Sequence, residues 1–285
     1  MKMTLTENMR ALRGEQAFCA WLILLGDGAL QSTVPGAPHG QIDIPDECHL
    51  TQTIVDAIYP DFNEDRNNCV ILSPKNESTH EINKIALDRF NPSEQPRIYV
   101  SYDKFEEDDG NEVQEITTEF LNSLTPSGMP LHSLQLKEGC PIMLLRNLDT
   151  RKGLSNGVRL KVIHMYDRIL DCQILSGSPK FIGKRVYVPK VRLTPSDTQL
   201  PFKFSRIQFP IRLAYCITIN KSQGQSFDQV GIYLPAPVFS HGQLYVAFSR
   251  ARSFDGIHVM INNTTQQQAT DTSAVTMNVV FALDN

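Results

Sequence analysis

Ser73, Pro74 and Lys75 stand where a predicted strand, residues 68–72 (NCVIL), gives way to a predicted helix, residues 77–90. Backbone N–H groups at a helix start, with a hydroxyl beside them, suit a phosphate. The same pattern is also an ordinary helix cap, and residue types alone do not separate the two. A loop that wraps a nucleoside triphosphate needs GxxxxGK[ST], so that N–H groups surround the phosphates and a lysine reaches them. The one Gly-Lys pair, Gly183-Lys184, is followed by Arg185, and Gly177 is one residue too far upstream. Asp46-Glu47 follow Ile44-Pro45, and that proline argues against a central strand delivering metal-binding carboxylates. A complete triphosphate site, and a metal site, are therefore not expected from this sequence.

A second set of residues could touch a polyanion. Arg146, Arg151, Lys152 and Arg159 flank a turn-rich stretch, residues 147–157. Basic residues with few aromatics suit tracking a phosphate backbone better than stacking on bases. About half of them are expected to be ordinary solubilising charge. Three more segments recur in order along the chain: LTENMRA (5–11), AYCITINKSQGQ (214–225) and LYVAFSRAR (244–252). They carry Arg10, then Thr218, Asn220, Lys221, Ser222, Gly224 and Gln225, then Arg250. Each alone says little, because an arginine on a helix is usually a solvated surface residue.

The elements that must position these residues alternate in character. Residues 15–25 place Ala17, Phe18, Trp21, Leu22 and Leu25 at helical spacing, and Gly26-Asp27-Gly28 stops that helix. Trp21, Phe18, Phe202 and Phe204 read as packing. The strand and helix around Ser73 make an α/β unit, and Asn76 is the expected helix cap. Residues 104–119 (KFEEDDGNEVQEITTE) read as a solvated acidic excursion. After Pro130 come five short β-rich runs, at 134–136, 141–145, 158–164, 168–175 and 185–193, which suggest a small β barrel. After Phe204 the α/β character returns, with strands at 230–234 and 256–261, a helix at 241–249 and a last strand at 278–283. The pattern predicts three segments: 1–130, an inserted barrel at 131–203, and 204–285, which completes the α/β domain.

Composition narrows the class. The 285 residues are 41% hydrophobic and 20% charged, enough to bury a core without staples. The six cysteines are scattered with no CxxC pair, so reduced core thiols are expected rather than disulfides or zinc. The longest apolar run, residues 20–25, is far short of a membrane span. The net charge of −4 hides a split. Residues 1–130 hold 22 acids against 9 bases, and residues 131–285 hold 9 acids against 18 bases. Such a basic half fits a polyanion partner and fits a solvated basic surface equally well.

The ordered segments resemble the motif set of superfamily-one helicases. More of the chain is similar to the C-terminal half of Pif-type (petite integration frequency) DNA helicases, in particular the branch carried by Helitron transposons. The resemblance runs through ILSPKNESTHEINK, FLNSLTPSGMPLHSLQLKEGCPIMLLRNLDTRKGLSNGVRL, TPSDTQLPFKFSRIQFPIRLAYCITINKSQGQ and LPAPVFSHGQLYVAFSRA. It implies a RecA-like parallel-sheet domain with an inserted small barrel of the Src-homology-three type. It implies ATP and Mg2+ as cofactors of the complete enzyme, single-stranded DNA as partner, and a further RecA-like domain carrying the phosphate loop.

By that resemblance, Arg250 matches the arginine finger and Arg10 a second γ-phosphate arginine. A guanidinium stabilises charge on a transferring phosphoryl group as a rigid fork, which lysine does not offer. Gly224 and Gln225 match the loop beside the nucleotide. Thr218, Asn220, Lys221 and Ser222 match the segment on the single-strand backbone. Asn220 stands where many members carry His, and Phe248 where Leu is usual. The implied activity is 5′-to-3′ unwinding at single-strand/duplex junctions, in genome maintenance or transposition, and a nuclear location. With no phosphate loop in its sequence, the chain alone is expected to be inactive. A stand-alone single-strand-binding module and a functionless transposon relic are the alternatives.

Overall fold

The computed structural model describes residues 11–50, 52–62, 67–106, 117–195, 200, 202–264, 267–270 and 273–280. The chain divides into two units. The first is made of residues 1–86 and 215–285, and the second of residues 87–214.

The first unit is built on a parallel sheet of four strands, in the order Cys216–Thr218, Cys69–Ser73, Gln229–Leu234, Ile257–Ile261. Cys69–Ser73 is buried along its whole length, as expected of a strand covered on both faces. The helix Ile54–Ile58 lies on Gln229–Leu234, and Gly231 makes that approach possible. A Cβ there would sit 2.8 Å from Ile58 Cγ1. The helix Gln16–Asp27 buries Phe18, Leu22 and Leu25 and ends at Gly28 in the left-handed conformation, φ 70°. Its Trp21 ring packs 4.8 Å from Phe248, which ties it to the helix Gln243–Phe248. A small antiparallel sheet, in the order Gln41–Ile44, Ala274–Met277, Gln268–Ala269, joins distant parts of the sequence. Among the described residues the last strand is thus at 274–277, while residues 281–283 of the expected one lie outside them.

The helix Asn76–Arg89 follows Ser73 closely. At its start the Lys75 carbonyl accepts from Thr79 N at 3.2 Å and from Thr79 Oγ1 at 2.8 Å. Asn83 bonds the helix to the sheet's edge strand. Its Nδ2 donates to the Cys216 carbonyl at 2.7 Å, and its Oδ1 accepts from Cys216 N at 3.0 Å.

The second unit contains a five-stranded antiparallel sheet, ordered Ile211–Leu213, Pro141–Leu144, Arg159–Met165, Ile169–Ile174, Arg185–Pro189. Its two outer strands are not paired with each other among the described residues, so the pairings describe an open sheet and not a closed ring. The run expected at 185–193 is two strands, and its second part, Val191–Leu193, joins a three-stranded sheet with Lys203–Gln208 and Tyr102–Glu106. Residues 104–106 are therefore strand and not solvated excursion, while 107–116 lie outside the described residues.

The unit is wider than 131–203 on both sides for a pairing reason. Arg97–Val100 pairs with Ser133–Leu136, and Ile211–Leu213 pairs with Pro141–Leu144. Arg206 sits fully buried and makes two bonds to the Asp103 carboxylate, 2.8 and 2.6 Å. It also donates to the carbonyls of Leu121, Leu124 and Pro130.

Candidate functional site

In an open parallel sheet, ligands gather beyond the carboxyl ends of the strands. In the first unit that edge holds Ser73 and Thr218, which are register partners on adjacent strands. The pairing brings together two segments far apart in sequence. Ser73 is fully buried, and its Oγ has no hydrogen-bond partner among the described residues. Lys75, two residues on, is exposed just before the helix start.

Beyond Thr218 the chain enters a 3-10 turn, Ile219–Ser222. Asn220 is exposed and Lys221 half-buried, so both can meet a ligand. Ser222 cannot in this arrangement. Its side chain is buried, and its Oγ donates to the Ile219 carbonyl at 2.6 Å, closing the turn. Gln225 binds back to the turn, with Nε2 donating to the Lys221 carbonyl at 3.1 Å. Gly224 has φ 85°, and a Cβ built on it meets nothing within 4 Å. Its backbone conformation requires glycine, and the space above it is open to a ligand.

Arg250 follows the helix Gln243–Phe248 and is 4% exposed. Its Nη1 donates to the carbonyls of Gln225 at 2.8 Å and Ser222 at 3.4 Å. Nε donates to the Val246 carbonyl at 2.9 Å, and Nη2 to Ser249 Oγ at 2.9 Å. Phe227 N in turn donates to the Arg250 carbonyl at 2.9 Å. The guanidinium thus braces the 222–225 loop against the helix instead of reaching outward. Ser249, which the spacing did not single out although it directly precedes Arg250, belongs to this bonded cluster. Arg10 lies outside the described residues.

The remaining candidates belong to the second unit. Arg151 and Lys152 ride on a short 3-10 turn capped by Asp149, whose Oδ1 accepts from Arg151 N at 3.1 Å. Their side chains are 93% and 75% exposed, with loose ion pairs to Asp149 at 3.8 and 3.7 Å. Arg146 is half-buried and donates to the Thr194 carbonyl at 3.3 Å. Arg159 is 2% exposed, which removes it from the surface expected to meet a backbone. Lys137 is likewise buried and donates to the carbonyls of Phe90 and Asn91. With Arg206, three cations of the basic half are buried, and Lys137 and Arg206 bond carbonyls of the fold.

Comparison with known proteins supplies the context. Residues 119–165 match the family described as DNA helicase Pif1, 2B domain. Over 130 residues the chain is 41% identical to the ATP-dependent DNA helicase PIF1 of Danio rerio, covering 45% of this chain and 19% of that protein. A Pif1 structure described as the basis for DNA unwinding at forked duplexes by two coordinating helicases is 25% identical. It has a TM-score of 0.56 and covers 90% of this chain and 48% of that one. The Pif1 helicase from Bacteroides, solved with ADP-AlF3 and single-stranded DNA, shares the fold at TM-score 0.58 and 22% identity, over 90% of this chain and 51% of that one. The chain spans about half the length of these solved helicases and a fifth of the curated relative. In sequence and in RecA-like fold, the chain is Pif1-like over the part of those helicases that carries the 2B domain.

Proposed function

We propose that this chain is the part of a Pif1-type ATP-dependent DNA helicase that holds single-stranded DNA and completes the nucleotide site opposite a phosphate loop carried by another domain. The observation that carries the reading is the bonding of Arg250 to the loop that follows Lys221. Gln225 is bonded to Lys221 on one side and to Arg250 on the other. A nucleotide that moved Gly224–Gln225 would therefore move the Lys221 turn as well, which is what coupling ATP to DNA requires.

ATP with Mg2+ is the expected cofactor. The open space over Gly224 fits an approaching nucleotide. Arg250 as folded acts as the brace of that loop, and contact with a γ-phosphate would require it to release the Gln225 carbonyl. Lys75, Asn220 and Lys221, at the strand ends, are the residues assigned to the single-strand backbone. Unwinding in the 5′-to-3′ direction and a nuclear location belong to the same reading.

The test is fluorescence anisotropy with a labelled oligo-dT. Binding at low salt that Lys221→Ala weakens several-fold supports the reading. An absence of single-strand binding, or binding indifferent to Lys221→Ala and Lys75→Ala together, overturns it.

A further inference from the structure

A cavity of about 640 Å³ opens in the first unit where the helix Gln16–Asp27 ends, beside the start of Gln41–Ile44 and the residues that follow Ala274–Met277. Its size suits a small ligand, since binding clefts run to roughly 300–1,000 Å³. Asn278 lines it and is 7% exposed. The backbone and one half of this side chain are fixed. Asn278 N donates to the Gly40 carbonyl at 2.8 Å, and Nδ2 donates to the Leu25 carbonyl at 2.8 Å. A carbonyl takes only a donor, so the amide cannot turn over. Oδ1 is the atom left without a hydrogen-bond partner among the described residues. An unmade bond at a buried oxygen costs stability, which a donor brought into the cavity would recover. Gly40 lets the chain pass close to this residue. Its φ is 84°, and a Cβ there would lie 3.1 Å from the Asn278 carbonyl oxygen.

The rest of the lining decides which donor fits. Asp27, exposed at the helix end, supplies a carboxylate, and no lysine or arginine lines the cavity among the described residues. Leu30, Val279 and Val280 supply apolar wall. An anion would meet two acceptors, Asp27 and Asn278 Oδ1, with only the imidazoles of His39 and His241 to offset them. A cation on a short hydrocarbon chain satisfies every part. We propose that this cavity binds a primary alkylammonium of the size of an aliphatic diamine. An ammonium donates to Asn278 Oδ1, the methylenes lie on Leu30, Val279 and Val280, and Asp27 balances the charge. The site shares no residue with the sheet edge at Ser73 and Thr218, so it stands or falls independently of the helicase reading. Its occupant bridges the helix Gln16–Asp27 and the chain after Ala274–Met277, and binding therefore raises the stability of the folded unit.

The test titrates the full chain by calorimetry with putrescine, an aliphatic diamine, and with butyrate, an anion of like length. Saturable one-to-one binding of putrescine is expected, with a melting temperature that rises with its concentration, and no binding of butyrate. Asp27→Asn, at an exposed position, should weaken putrescine several-fold without destabilising the free protein. Leu30→Trp fills the cavity from a loop position and should abolish binding. Failure of putrescine to saturate overturns the proposal, and so does butyrate that binds as tightly as putrescine. Putrescine binding that neither variant alters is attraction to surface charge only and overturns it as well. If Leu30→Trp does not fold, the response to Asp27→Asn decides: several-fold weakening supports the site, and unchanged affinity overturns it.

Discussion

Arg250 Nη1 donates to the Gln225 carbonyl at 2.8 Å, inside a loop whose other end is anchored by Ser222 and Lys221. The arginine is buried and its fork is shared among carbonyls and a hydroxyl. Arg250→Ala removes a buried donor from each of these acceptors, the Gln225 carbonyl foremost, and should cost about 3 kcal/mol. Arg250→Lys keeps the charge but cannot span the same partners, and should recover less than half of the loss. Urea midpoints with an unchanged m-value check both.

The buried Arg206–Asp103 pair gives a second prediction. Removing one member strands the other charge away from water, so Arg206→Ala or Asp103→Ala should cost about 3–5 kcal/mol. Replacing both with apolar residues, Asp103→Leu with Arg206→Met, should cost less than either single change. A double-mutant cycle by denaturant unfolding reads the difference.

Two glycines should respond differently to alanine. Gly224→Ala meets open space and suffers only its positive φ, a cost of about 1 kcal/mol. Gly231→Ala has no such backbone strain but drives a methyl into Ile54 and Ile58, and about 1–3 kcal/mol is expected. Thermal melts separate the two, and only Gly224→Ala should also alter single-strand binding.

Much of the scaffold could be read directly from residue spacing. The apolar positions of the first helix recur at three and four, and Gly28 ends it where a left-handed cap is needed. The strand before Ser73 is a plain apolar run between turns. What stayed hidden depends on partners far away in sequence. Gln41–Ile44 is four residues long and gains its identity only from Ala274–Met277. Strand pairing across the second unit likewise drew in residues 87–130 and 204–214, which local pattern assigned to the α/β domain. For the site, residue types were legible and orientation was not. An arginine that points at a ligand and one that braces a loop look the same in sequence, and so do buried Arg159 and exposed Arg151.

Thiol reactivity should follow burial. Desolvation pushes the Cys48 and Cys140 thiols up to about 12 and raises those of Cys172 and Cys216 as well. Cys69 is buried, and Cys19 is the half-buried exception. Iodoacetamide near pH 8 should modify Cys19 alone in the native protein and all six thiols in denaturant, as counted by mass spectrometry.

Acid should act through Asp171. The Arg185 guanidinium, hydrogen-bonded to it, holds the carboxyl below the usual carboxylate range. A folded pKa below the unfolded one adds stability above the unfolded value, and that stability is lost as pH falls through the folded pKa. The stability difference between wild type and Asp171→Asn should be constant from neutral pH to about 5 and shrink below about 4. Denaturation midpoints across that window check it.

The pairing of Ser73 with Thr218 also sets an order of events during synthesis. The sheet's central strand leaves the ribosome before residues 87–214, and its edge partner leaves after them. Until then the Cys69–Ser73 edge stays open, and Asn83 waits for the Cys216 backbone that it will bond. The inserted unit, whose sheets pair largely within residues 87–214, can mature in that interval. The first unit is thus begun early and closed late, with a stretch of unpaired apolar strand that a chaperone would have reason to cover.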